Sequence, residues 1–427
     1  MATSNMQRGA SDPSLKVLIE QLLGYCRRQG WAGHDPYDAL NSRLFAKFPL
    51  LDRRWPRLLL TQLLKRLPVD TRGWLDIPPT QNPKGLALCV MALLRLHRSG
   101  AVPDLSEAIA LGEWMIEMRS HGGTADCWGY SFPWQTRTVL VERGAPSLVC
   151  TVFVAEALLD LYSATGDTRF ATHAKGAACY IRSQLYWTDG ASVHALAYPL
   201  ATSRTPVHNA NLLGAAFLCR VASELGVSDL AEVALRVARY SVARQREDGS
   251  WLYGEARSQA WIDNFHTGFN LSALASIERS FPTGEFSRAI ERGFAYFVPT
   301  FIRADGAARY FHDRTFPIDA HSVAQSIITL TEFRHLHPDA ARRADDVLQW
   351  AVKHMWDPAG FFYYRCYPVG RNKIPYFRWS EAWMLLALAW AWEARQGAAA
   401  RANAAIGNTT NPVAAMGDRL TEEGVMP

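Results

Sequence analysis

Two kinds of apolar segment alternate along the chain, separated by short turns that contain glycine. One kind is apolar on nearly every side, as in the stretches that begin at Pro146 and Arg378, and this is typical of helices buried all round. The other kind carries charges on one face, as in the stretches that begin at Asp104, Asp229 and Ala340. The pattern predicts buried inner helices paired with half-buried outer helices.

The turn that leads from an outer helix to the next inner helix recurs six times. Each copy contains a glycine, usually with an aromatic residue close by, and successive glycines are 56, 61, 59, 57 and 54 residues apart. These glycines are Gly73, Gly129, Gly190, Gly249, Gly306 and Gly360. A helical hairpin repeated at such a period cannot bury its apolar face alone, so its copies must stack against each other.

Six stacked hairpins can close into a ring or remain an open solenoid. An inner layer that is wholly apolar favours closure, because an open concave face would leave apolar surface in water. We therefore expect an all-α chain in which residues 53–395 form an (α/α)6 toroid and residues 1–52 form a helical cap. Residues 396–427 are rich in small and polar side chains, and we expect a disordered tail there, with a strap across the toroid as the alternative.

The composition narrows the class of protein without naming a partner. Hydrophobic residues make up 49% of the 427 residues and the formal net charge is only +5, and no run of Lys and Arg indicates a nucleic-acid partner. The segment MATSNMQRGASDPSLK has no apolar leader, and no apolar stretch looks long enough to span a membrane. The seven cysteines form no C-x-x-C pair, which is typical of reduced thiols. We expect a cytoplasmic protein without a membrane span.

Polar residues collect where the predicted inner helices begin. Because every turn enters its inner helix from the same side, six helix N-termini meet at one end of the toroid, where free N–H groups favour oxygen-rich ligands. The polar residues there include Asn82, Lys84, Ser147, His208, Asn209, Asn211, Asp263, Asn264, His266, Asp319, His321, Gln325, Arg378, Trp379 and Glu381. Helix capping is the ordinary alternative for any one of them.

Three kinds of chemistry fit this set. His208, His266 and His321 stand at equivalent places in successive repeats, and imidazoles near carboxylates can move protons. Carboxylates facing each other would instead suit glycosidic hydrolysis, whereas a His pair would suit an epimerase or lyase, and three His with a carboxylate would suit a divalent metal. No H-E-x-x-H spacing or Gly-rich phosphate loop is present, so we expect neither a metal nor an organic cofactor.

Aromatic and arginine side chains of the turns are expected to form the walls of this mouth, with packing between turns as the alternative. Their density favours a carbohydrate or uronic-acid ligand, since aromatic rings stack on the flat faces of sugars. The ligand-binding residues expected on this basis are Asn211, Asn264, Trp128, Tyr130, Trp251, Tyr253, Tyr364, Arg365, Arg378 and Trp379. The catalytic residues expected are Asp263, His266, Asp319, His321, Glu381 and His208.

Several strings of the chain carry a family resemblance. NPKGLAL, CWGYSFPWQ, PSLVCTVFVAEALLDLY, VHNANLLGA, DGSWLYGE, WIDNFHTGFNL and FRWSEAWMLLAL resemble six-hairpin-glycosidase-like proteins of bacterial and archaeal exopolysaccharide and surface-glycan gene clusters, over about residues 20 to 395. The resemblance implies an (α/α)6 toroid and a role in polysaccharide biosynthesis or modification, without a settled set of catalytic residues. More distantly, the single-toroid layout is similar to that of N-acylglucosamine 2-epimerases, whose chemistry uses a His pair.

The resulting hypothesis is a cytoplasmic carbohydrate-active enzyme of surface-glycan biosynthesis that works by acid/base chemistry in the funnel, in the manner of a glycoside hydrolase. A sugar epimerase or uronate lyase with a His pair is the enzymatic alternative. A non-catalytic glycan-binding protein or scaffold in a glycosyltransferase complex is the alternative of a different class.

Overall fold

The computed structural model describes residues 14–48, 52–120, 126–136 and 139–409. Residues 1–13 of the expected cap and residues 410–427 of the expected tail therefore lie outside the described residues. Within the described part, the helix that begins at Ala382 continues to Thr409. The first residues of the expected disordered tail are thus helical.

Long helices make up most of the described chain. In chain order they are α1 (Leu15–Arg28), α2 (Leu44–Lys47), α3 (Arg54–Arg66), α4 (Pro83–Arg98), α5 (Ser106–Glu117), α6 (Leu148–Thr165), α7 (Thr168–Tyr180), α8 (His208–Glu224), α9 (Asp229–Val242), α10 (Asn264–Ser280), α11 (Ser287–Phe301), α12 (Ala320–Glu332), α13 (Ala340–Met355) and α14 (Ala382–Thr409). A π-helical turn, Phe377–Glu381, leads directly into α14.

Six of these helices form a closed inner ring. α4 packs against α6, and the sequence of neighbours continues through α8, α10, α12 and α14 until α14 packs against α4 again. The residues of these helices are buried almost without interruption over their first three turns, as expected for helices with neighbours on both sides and an outer helix behind. The expected (α/α)6 toroid is confirmed, and the open solenoid is excluded.

The outer ring contains α5, α7, α9, α11 and α13, and α1 completes it. α1 packs against α14, and the turn at Gly360 lies directly on its backbone, where a Cβ atom would be 2.9 Å from the carbonyl oxygen of Gln21. Gly249 and Gly306 make the same approach to α11 and α13. The N-terminal helix therefore lies where a sixth outer helix belongs, beside the last inner helix and not above the first hairpin.

Short antiparallel strands lie in the turns at the mouth end of the toroid. They are β1 (Trp134–Gln135), β2 (Leu140–Val141), β3 (Tyr186–Thr188), β4 (His194–Leu196), β5 (Ile318–Asp319), β6 (Trp356–Asp357), β7 (Phe361–Phe362), β8 (Arg365–Cys366) and β9 (Arg371–Asn372). The three-stranded sheet has the order β5-β8-β9. Its register pairs Asp319 with Arg365, so the sheet carries that arginine to the start of α12.

Helix α6 is long and unusually apolar for a helix of a folded toroid. Among the described residues it is the one helix that has the length and hydropathy of a membrane span, with 67% of that window buried inside the toroid. The expectation that no apolar stretch reaches such a length is therefore wrong for Leu148–Thr165. Its position between α4 and α8 in the inner ring explains the composition, because such a helix meets protein on every side.

Candidate functional site

Carboxylates and an amide cap three inner helices at the mouth end of the toroid. Asn82 accepts the Lys84 N–H at 3.1 Å, Asp263 accepts the His266 N–H at 3.0 Å, and Asp319 accepts the His321 N–H at 2.9 Å. Such caps satisfy backbone donors that have no partner inside the helix. Each of these polar side chains therefore has a structural role, whatever else it does.

His266 forms a hydrogen-bonded pair with Asp263. Its Nδ1 lies 2.7 Å from Oδ2 of the carboxylate, and the same oxygen accepts the indole N–H of Trp261 at 2.9 Å. The carboxylate is buried, whereas the imidazole is 21% exposed. Since Nδ1 faces the carboxylate, its proton is held there, and Nε2 has no hydrogen bond from any described residue. An imidazole oriented in this way presents a free basic nitrogen to a ligand.

His321 lies beside His266 but in an apolar environment. Its ring stacks between Phe265 at 4.2 Å and Trp383 at 4.4 Å. Neither ring nitrogen has a hydrogen-bond partner among the described residues. Burial and the positive charge of Lys84 lower the pKa of His321 well below 6.5. The imidazole is therefore neutral and unpaired, which is costly for a buried polar group and is often a mark of function.

Lys84 completes this group and was not among the catalytic residues expected from the sequence. Its ammonium lies 4.0 Å from the ring centroid of Phe153, and no described residue makes an ion pair or a hydrogen bond with it. Burial and the nearby Arg378 lower its pKa from 10.5 to about 7. The signal in the sequence is a lysine inside the apolar string NPKGLAL, where a surface position is ruled out by its neighbours.

The remaining charges of the mouth are paired. Asp319 accepts the Nε–H of Arg365 at 2.7 Å and the indole N–H of Trp379 at 2.9 Å, so both of its oxygens are engaged. Arg378 makes a two-pronged ion pair with Asp35 at 2.7 and 2.9 Å. Asp35 comes from the segment after α1, and no sequence pattern marks it as part of the mouth.

Aromatic side chains from separate turns join around these groups. Tyr253 stacks on Trp261 at 4.4 Å and contacts the ring of His266 at 4.6 Å. Tyr130 lies 5.1 Å from the Arg378 guanidinium, and Tyr310 lies 5.3 Å from that of Arg365. Burial raises the pKa of all three tyrosines well above 10. These phenols therefore keep their protons and can donate hydrogen bonds to a ligand.

A cleft of about 600 Å³ opens next to this cluster. It lies between the end of α3 and the β5-β8-β9 sheet, and its cationic side chains are Lys65, Arg66, Arg365 and Arg371, with no carboxylate among the residues that line it. Lys65 also lies 4.1 Å from the ring centroid of Tyr37. Such a surface favours an anionic ligand, and the N-termini of the inner helices add to the positive potential.

The structure does not bring His208 to the mouth. Its Nδ1 faces the Ser241 hydroxyl of α9 at 3.4 Å, and burial lowers its pKa to about 4. Asn211 lies in the same place, accepting the Leu196 N–H at 2.9 Å and donating to Ser241 at 3.1 Å. The reason is helical register, because His208 is the first residue of α8 whereas His321 is the second of α12 and His266 the third of α10, and each step rotates a side chain by about 100°.

Glu381 also points away from the mouth. One of its oxygens accepts the Phe362 N–H at 2.9 Å and the other has no partner among the described residues. Burial raises its pKa well above 4.5, so it is a neutral acid in the core between α14 and α1. Glu381 lies in the π-helical turn Phe377–Glu381, and its side chain is directed away from His321.

Four other expected ligand residues serve packing. The indoles of Trp128 and Trp251 donate to the backbone of outer helices, at Met115 O (2.6 Å) and Ser241 O (3.0 Å). Asn264 donates to Ser326 of the neighbouring inner helix at 2.9 Å. Tyr364 is fully buried against Tyr376, with ring centroids 4.8 Å apart. For these residues the structure favours the packing alternative.

Comparisons with known proteins support the fold but do not identify the reaction. No family model matches the chain, and no curated protein matches its sequence. Among solved structures, cellobiose 2-epimerase from Bacillus thermoamylovorans is 9% identical, with a TM-score of 0.59 over 75% of this chain and 90% of that one. An unsaturated glucuronyl hydrolase specific for heparin is 12% identical, with a TM-score of 0.57 over 90% and 99%.

The GH76 α-mannanase of Bacteroides thetaiotaomicron is 10% identical, with a TM-score of 0.57 over 76% of this chain and 89% of that one. At such identities the likeness extends to the architecture alone. The chain thus has the (α/α)6 fold of these three solved structures.

Proposed function

We propose that this chain is a carbohydrate-active enzyme that removes a proton from a sugar carbon, with His266 as the base. The observation that carries the proposal is the Asp263–His266 pair, whose Nδ1 is held at 2.7 Å while Nε2 is unpartnered in an aromatic mouth. Among the alternatives from the sequence, this favours the epimerase or uronate lyase over a glycosidase with two carboxylates.

The carboxylates are poorly placed for glycosidic hydrolysis. Asp263 and Asp319 each accept an N-cap hydrogen bond and at least one indole N–H. Glu381 lies in the core between α14 and α1, away from the mouth. A pair of glycosidase carboxyl groups must instead face the same bond from two sides, one protonated and one ionised. His266 and His321, in contrast, each have a ring nitrogen that no described residue pairs with.

The substrate class follows from the charges around the bases. A proton next to a carboxylate becomes removable when cations stabilise the enolate that forms. The cleft lined by Lys65, Arg66 and Arg371 supports an anionic sugar, since none of these cations pairs with a carboxylate of a described residue. Lys84 supplies an amine with a pKa of about 7 close to His321. The proposed substrate is therefore a uronic-acid residue, whose proton beside the carboxylate passes to His266. Either a proton then returns to that carbon from the opposite face, which gives the epimer, or the oxygen on the β-carbon leaves and takes up a proton, which cleaves the chain by β-elimination.

The test is deuterium exchange measured by NMR. The purified protein is incubated in D2O with oligosaccharides that contain uronic acid, and the signals of carbon-bound protons are followed together with the appearance of unsaturated products. We expect exchange or elimination at the carbon beside the carboxylate. His266→Ala should slow it by about a hundredfold or more, the usual effect of losing a positioned acid/base group.

His173→Ala is a matched control. His173 on α7 also pairs through Nδ1 with a carboxylate, Asp126, at 3.0 Å, and its exposure of 20% is close to that of His266. Because α7 belongs to the outer ring, this variant should keep its activity. Glycosidic hydrolysis without exchange, or equal losses in both variants, would contradict the proposal.

The family resemblance of the sequence extends the proposal to cellular context. It supports a role in polysaccharide or surface-glycan biosynthesis, and to this role we add a cytoplasmic location and a glycosyltransferase partner as parts of the proposal. Co-purification of the tagged chain with a glycosyltransferase from its source cells would test this part separately from the chemistry.

A further inference from the structure

A second cavity lies on the toroid axis, at the end opposite the mouth. Its volume is about 500 Å³, and all six inner helices contribute residues to its wall. Its innermost wall is formed by Phe153, Phe269 and Trp383, the rings whose other contacts are Lys84 and His321. Its outer rim is formed by the last residues of α8 and α12, Glu224 and Glu332. The proposed active site and this cavity thus share an aromatic partition.

The cavity is deep and narrow. From Phe269 near the start of α10 to Ser280 at its end, a helix rises about 16 Å at 1.5 Å per residue. The wall between these levels is mostly apolar, with Leu213, Ile328 and Leu386 as examples. This shape suits an extended apolar body lying along the axis, with a polar head at the rim.

The rim is negative. Four carboxylates, Glu156, Asp160, Glu224 and Glu332, line the cavity against three arginines, Arg95, Arg220 and Arg279. Arg279 pairs with Glu332 at 3.2 Å, and Arg95 is engaged by Glu393, which lies outside the lining. The other three carboxylates share Arg220 alone, and this shortage of arginines makes their side of the rim negative. The inner helices also direct the negative ends of their dipoles to this rim, so carboxylates here are placed against the usual preference.

We propose that the axial cavity binds an organic cation with an extended apolar body, such as an alkylamine. The ammonium group would sit among the rim carboxylates, and the apolar body would lie against Leu213 and Leu386 with its end on the Phe269–Trp383 stack. This site is separate from the proposed active site and needs no activity for its detection.

The test compares three probes that share one apolar body. Hexylammonium, hexanol and hexanoate are titrated separately by calorimetry. Intrinsic tryptophan fluorescence, to which the lining residues Trp383 and Trp390 contribute, is a second readout. We expect saturable binding of hexylammonium, with affinity about tenfold or more above that of hexanoate, because the head groups carry opposite charges in the same field. Equal affinities for the two ions, or no saturable binding of hexylammonium, would overturn the proposal.

Two rim variants locate the binding. Asp160→Asn and Glu224→Gln change side chains that are 34% and 35% exposed, and Arg220 keeps two carboxylate partners in each. Either variant should weaken hexylammonium binding by about threefold or more, the scale of one partly exposed charge pair. Glu232→Gln is the control, because Glu232 is an exposed partner of Arg236 on outer helix α9. A loss in the control as large as in the rim variants would refute this location.

Discussion

Replacing Lys84 by methionine should make the protein more stable at neutral pH. Burial lowers the pKa of this lysine from 10.5 to about 7, so between these values the unfolded chain holds the proton and the folded chain does not. The free energy of unfolding therefore rises as the pH rises from about 7 to 10.5. Below that range the full cost of burying the charged amine is present. The cost works out at about 4 kcal/mol at pH 7 and about 2 kcal/mol at pH 9.

Methionine removes this cost and fills similar space. Loss of the ammonium contacts with Phe153 and Trp383 offsets about 1–2 kcal/mol, which leaves a net gain of about 2–3 kcal/mol near pH 7. The assay is urea unfolding followed by tryptophan fluorescence at several pH values. Lys16→Met, on the exposed face of α1, is the control for a lost surface charge.

The decisive quantity is the stability of the variant minus that of the wild type. It should shrink by about 2 kcal/mol as the pH rises from 7 to 9. A difference that does not change with pH, or the same pH dependence in the Lys16 variant, would refute the reasoning that Lys84 is a desolvated amine.

Backbone and buried titratable groups supply the other predictions. Gly249→Ala should cost about 1–3 kcal/mol more than Gly190→Ala in thermal unfolding, because both have positive φ but only Gly249 would bring its Cβ to 2.3 Å from the Arg292 carbonyl oxygen. Glu381→Gln should stabilise the protein at neutral pH but not in acid. Burial raises the pKa of Glu381, so above the ordinary carboxyl pKa of 4.5 the folded chain keeps a proton that the unfolded chain releases, which costs stability. Urea unfolding at both pH values checks this. Burial lowers the pKa of His208 from 6.5 to about 4. Because the unfolded chain takes up a proton in this interval and the folded chain does not, the free energy of unfolding falls by about 3 kcal/mol as the pH falls through it. His208→Gln should therefore flatten the acid limb of the stability curve, measured by the same unfolding assay.

The candidate site was accessible from the sequence only in outline. The location at the N-termini of the inner helices follows from the hairpin repeat, and His266, His321 and Asp263 are found together there. Lys84 was visible in the sequence only as a lysine within an apolar string, and Asp35 had no sequence signal. Their importance depends on which groups surround them, and those groups come from parts of the chain far away in sequence.

The amino-acid sequence by itself determined the repeat, the alternation of buried and half-buried helices, and the (α/α)6 class. These are local and periodic properties, since the five hairpins from α5–α6 to α13–α14 each carry their own apolar faces and glycine turn. The turn at Gly73 instead follows α3, which is not an outer helix. Only the tertiary structure decided that α1 stands in the outer ring, because that depends on where the first and last hairpins meet.

The tertiary structure also decided which histidines share the mouth. Similar spacings along the chain, 58 and 55 residues, placed His208 with His266 and His321, but the three helices begin at different offsets from these residues. A shift of one residue turns a side chain by about 100°, which is enough to move an imidazole from the axis to the outer ring. Spacing in a sequence constrains the position along a helix far better than the direction in which a side chain points.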